Sequence, residues 1–140
     1  MYAALRTVLG TLPVALALVH TCGADVPAQP ESSATKITVE QLQAYTAQVE
    51  AMPNIQCRDI AANQRQCTSD SLMTIWTFTR PGHPAHPAVT SGVLKVSPPY
   101  VGIDRSGAYA GDERAFTNWM KEWLAVDTHN VAEFKKHLAQ

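Results

Sequence analysis

Charge is scarce in this chain, and neither sign prevails: 11 lysines and arginines face 12 acids in 140 residues, for a formal net charge of −1. The basic residues are scattered, so there is no stripe of the kind that grips nucleic acid or an anionic membrane, and neither partner is expected. Long apolar runs are also missing. The longest, Val8 to Val19, contains Pro13 and falls short of the about 20 residues a spanning helix needs, so no membrane span is expected. The seven glycines form neither a P-loop nor a dinucleotide fingerprint, and there is no Gly-x-Ser-x-Gly elbow to expose a serine nucleophile. "DRSGAY" fails as a calcium loop because its glycine comes fourth rather than sixth.

What is present points first to export. Residues 1–28 carry one basic residue, Arg6, then the apolar run, then small residues and prolines, which is the order of a secretory signal peptide. Cleavage after Ala24 or Ala28 would release a periplasmic or secreted protein. The string "LVHTC" resembles a lipobox and offers lipidation at Cys22 as the other route, with a lipid anchor in place of a span. Removal or lipidation of Cys22 leaves Cys57 and Cys67, and an even pair in an exported domain reads as a disulfide. In the chain-entropy account such a bridge stabilises by about 2.5–3 kcal/mol. Nine residues between the two cysteines is not the spacing of a zinc ribbon.

Residues 29–35 read as a polar leader, and 36–140 as a single α+β domain. Thr38 with Gln41 forms a capping box flanked by Ile37 and Leu42, and Leu42, Tyr45, Val49 and Met52 then recur at helical spacing until Pro53-Asn54. Leu72 to Arg80 is β-branched and aromatic and reads as a strand, Gly92 to Val96 as a second, and "YVGI" as the start of a third. Asp104 to Gly111 reads as a glycine-punctuated loop. A helix follows from Asp112-Glu113 with Phe116, Trp119, Met120 and Trp123 on one face, and a last helix opens at Asn130. The expected fold is a small antiparallel sheet of two or three strands with three helices packed on one face, ordered helix-strand-strand-(strand)-helix-helix.

The least accidental string is "RPGHPAHPAV", Arg80 to Val89. Prolines at every third position favour an extended, polyproline-like connection with His83 and His86 on one side. A stiff loop loses little entropy on binding. The leading expectation is therefore a monomeric exported binding or inhibitor/immunity-type protein. It would recognise a protein partner through the 80–91 loop and the 104–111 loop, using Arg80, His83, His86, Asp104 and Arg105. The alternative is a periplasmic copper or zinc protein in which His83 and His86 are joined by a third ligand such as Asp104, Met73 or His129. A small enzyme using Asp104 or a histidine for acid/base chemistry comes third, and no catalytic set is assigned.

Overall fold

The capping box read at Thr38 starts a helix. In the computed structural model, which describes residues 34–140, Thr38 Oγ1 accepts from the Gln41 N–H at 3.1 Å and Gln41 Oε1 accepts from the Thr38 N–H at 2.9 Å. The signal peptide and Cys22 expected upstream, and most of the leader, lie outside the described residues. Helix α1 runs Val39–Glu50 and buries Leu42 and Val49. It is preceded by a short strand, β1 (Thr35–Lys36), and followed by a meander of β2 (Gln56–Ala61), β3 (Gln64–Ser69), β4 (Thr74–Thr79), β5 (Ala88–Ser97) and β6 (Tyr100–Tyr109). Helix α2 closes the chain at Glu113–Leu138.

The strands form one six-stranded sheet in the order β1-β6-β5-β4-β3-β2. β1 lies parallel to β6, covering it only at Ala108 and Tyr109, and every other pair is antiparallel. Neighbouring residues on a strand face opposite sides, and the core divides accordingly. Trp76, Phe78, Val89, Ala108 and Cys67 pack with Leu42 and Val49 of α1. Ala88 and Tyr109, each one residue along, pack with Ala85 and with Phe116, Trp119 and Met120 of α2. The two helices therefore cover opposite faces.

This corrects the expected architecture in several places. Among the described residues the sheet has six strands and is mixed, not two or three and antiparallel; there are two helices, not three; and they do not share a face. β2 and β3 were hidden by their polarity. "QCRDIA" and "QRQCTS" form the outer hairpin, where much of the surface meets water and little apolar alternation is needed. The loop expected at 104–111 is mostly β6, since Asp104 and Arg105 simply alternate faces, and Gly107 is small because Phe116 Cζ would stand 2.7 Å from a Cβ there. No helix begins at Asn130. α2 runs 26 residues through Asn130 without a break, and within it Asp127 turns inward to Arg105. β5 starts at Ala88 rather than Gly92, which shortens the connection from β4 to residues 80–87.

The disulfide is formed as expected. Cys57 and Cys67 are directly opposed in the β2–β3 register with an S–S distance of 2.06 Å. No helix among the described residues is long and apolar enough to cross a membrane.

On α2's face, Arg105 and Asp127 form a buried bidentate pair, with Nε to Oδ2 at 2.8 Å and Nη2 to Oδ1 at 2.5 Å. The guanidinium carbon also stands 4.9 Å from the centre of the Trp123 ring. A side chain over Gly92 would collide with Arg105 Nη2 at 2.6 Å, so β5 must be bare there for the arginine to cross it.

Candidate functional site

The proline-rich connection is folded, not extended. Pro81 and Gly82 occupy the central positions of a turn closed by the His83 N–H to Arg80 carbonyl bond at 3.1 Å, and Gly82 supplies the φ of +94° that its third position requires. A second turn follows at once, the His86 N–H donating to the His83 carbonyl at 3.0 Å, and the His86–Pro87 bond is cis. The polyproline-like geometry is thus overturned: glycine at Gly82 and Ala85 between the prolines let the chain fold back twice. Ala85 is fully buried in α2's core, which pins the middle of the loop. Its far end is held by Thr79, whose hydroxyl accepts from the Ala88 N–H at 2.8 Å and lies 3.1 Å from His86 Nδ1.

These turns send the two histidines to different sides. His83 goes to α2's side, its ring standing edge-on to Trp119 with centroids 5.1 Å apart. His83 Nδ1 accepts from the Ala85 N–H at 3.1 Å, so the neutral imidazole carries its proton on Nε2. His86 turns towards α1's side, where it lines a recess of about 300 Å³ with Val39, Leu42, Thr46 and Phe78.

The other expected residues do not join His83. Arg80 reaches across the surface to Asp59, with Nη2 to Oδ1 at 3.0 Å, an exposed pair of small energetic weight. Arg105 is committed to Asp127 in the interior. Asp104 is exposed on β6 opposite Val93, five residues along β5 from Ala88 and so roughly 17 Å from the loop. The described residues do hold one group of three potential metal ligands with mutually close donor atoms, Glu50, Cys57 and Cys67, but its two sulfurs are bonded to each other.

What surrounds His83 instead comes from two segments that the sequence did not single out. β2 and β3 are joined by a two-residue tip, Ala62-Asn63, and the Asn63 carbonyl accepts from the Arg80 N–H at 2.8 Å, tying the tip to the start of the loop. Across from it, Ala115, Asn118, Trp119 and Glu122 recur at helical spacing along one flank of α2. Asn63, Gln64, His83, Pro84, Asn118, Trp119 and Glu122 together line an open cleft of about 440 Å³. The legible signal for the tip was the polar run Asn63 to Gln66 between the two cysteines; for α2 it was Asn118 and Glu122 one turn apart beside Trp119.

The cleft carries a donor at His83 Nε2, an acceptor at Glu122 and three amides that do both. Burial lowers the His83 pKa from its ordinary 6.5; Glu122 works against that shift, and nearby His86 adds to it. Below 6.5 the unfolded chain therefore binds a proton that folded His83 resists, and stability falls as the pH drops from about 6.5 through the depressed midpoint. An NMR titration of the imidazole should give a midpoint below 6.5, and Glu122→Gln should lower it further by removing the opposing charge. A midpoint at or above 6.5 would contradict the geometry.

On β4, Ile75 is 40% exposed, while Thr77 and Thr79 on the same side of the strand are buried. The chain matches no protein-family model, no curated protein and no solved structure, so its own geometry carries the functional reading.

Proposed function

We propose that the protein is an exported, disulfide-linked binding protein, of the kind that inhibits or protects a partner protein, and that it engages that partner through the cleft around His83. One observation carries this. Three segments distant in sequence, each fixed by its own hydrogen bonds, converge on an open cleft lined by an imidazole, three amides and a carboxylate. A preorganised surface of that kind binds with little ordering cost. The bridged cysteines favour an oxidising compartment, which agrees with the signal-like N-terminus. The amides and the single carboxylate suit a partner segment rich in backbone or side-chain donors and acceptors more than one of strong charge.

Affinity capture from an extract of exported proteins tests this, followed by calorimetry with the identified partner. Asn118→Arg places a long cation in the cleft at an exposed helix position, and it should abolish recovery while leaving the melting temperature unchanged. Lys121→Glu, also exposed on α2, should recover the partner as wild type does. Equal recovery by Asn118→Arg would refute the assignment.

A further inference from the structure

We propose that the crevice between α1 and the β5–β6 pair is a separate small-molecule site, for a neutral compound with an aliphatic body and a carbonyl acceptor. It lies on the opposite side of the sheet from the His83 cleft and is independent of the partner reading. The crevice measures about 210 Å³. Ile37, Tyr45, Val89 and Ala108 give it apolar walls, and Gln41, Ser91 and Ser106 are its polar side chains.

Two features define the ligand. First, among the described residues no lysine, arginine, histidine or acid lines the crevice, so an ion entering it would lose water and meet no counter-charge there. Second, the polar groups have donors to spare. The Tyr45 hydroxyl accepts from Trp76 Nε1 at 2.9 Å, which occupies a lone pair and leaves its proton without an acceptor among the described residues. The hydroxyls of Ser91 and Ser106 lie 3.0 Å apart and share a single bond, so one of their two protons is unused. Gln41 gives its carbonyl to the Thr38 N–H and keeps its amide protons. Burial raises the Tyr45 pKa, so the phenol remains a donor through neutral pH. A hollow with surplus donors and no charge lacks an acceptor. An ester or amide carbonyl supplies two lone pairs without charge, and an attached aliphatic chain fills the space against Ile37, Val89 and Ala108. Ligand sites of this kind are mostly apolar, with a few placed polar groups.

The test is a nitrogen–proton NMR titration of the purified protein with hexanamide, with hexanoate as the charged counterpart. Saturable shifts are expected at Ser91, Ser106, Ala108 and the Trp76 indole N–H. Tyr45→Phe should weaken binding roughly 2- to 10-fold, the effect of one hydrogen bond. Ser106→Leu should fill the crevice and abolish the shifts, with far-UV circular dichroism confirming the fold. Asn118→Arg should leave hexanamide binding intact, which separates this site from the His83 cleft. Shifts that do not saturate, affinity indifferent to Tyr45→Phe, or hexanoate binding as tightly as hexanamide would each overturn the proposal.

Discussion

Asp127→Ala is expected to lower the unfolding free energy by about 3–5 kcal/mol, because it strands the Arg105 guanidinium in the interior with no counter-charge. The pair is nearly sealed, with 4% and 8% of the two side chains exposed, and it is bidentate, so losing the carboxylate removes both of the arginine's hydrogen-bond partners. Small domains are stable by about 5–15 kcal/mol in all, which makes this a large fraction of the total. The size of the effect reflects the orphaned charge and not the net worth of the pair. The double variant Arg105→Met/Asp127→Leu should therefore recover most of the loss, because it removes both charges and keeps apolar volume. Urea denaturation of the single and double variants checks both claims. A double variant no more stable than Asp127→Ala would show that the pair itself stabilises the fold.

Phe116→Ala is expected to cost a similar amount, about 3–5 kcal/mol, for a different reason. Phe116 is fully buried, stacks on Tyr109 with ring centroids 4.8 Å apart and meets Trp119 edge-on at 6.2 Å. Its tip fills the space left by the missing side chain of Gly107, so the residue joins helix to sheet at their closest approach. Truncation opens a void bounded by β6 backbone, which cannot collapse inward. The same denaturation experiment reads the loss. Because Trp119 also braces His83, the His83 titration midpoint should move in Phe116→Ala; an unmoved midpoint would mean that the cleft is held independently of this core.

Particular residues explain which parts of the fold were legible. Thr38 and Gln41 specify α1 through a local pattern of hydrogen bonds, and such patterns are visible in a linear sequence. Cys57 and Cys67 were legible because an even pair, in a chain whose N-terminus reads as an export signal, is expected to bridge. Arg105 and Asp127 were not. Each reads as a surface charge, and only the fold, which lays α2 across β6, shows that they meet. The same long-range pairing disguised β6 as a loop and made Asp127 look like the end of a helix. Within the candidate site, the sequence draws attention to His83 through its unusual loop, but its prolines suggest an extended segment where the chain turns twice. Asn63 and Gln64 escaped notice because β3 must pair with β4 before the hairpin tip arrives beside Arg80.

The order of strands also sets an order of assembly. From β2 to β6 each strand pairs with the next, so the meander can zip together through short closures, the first of which the disulfide can secure. β1 is different: Thr35 pairs with Ala108, and the chain between them crosses the whole sheet through α1. Loop-closure entropy opposes that contact until the meander already exists. Pairing of the N-terminal strand is thus the latest contact to form on these entropic grounds, and the wall that Ile37, next to that strand, gives the crevice beside Tyr45 is completed with it.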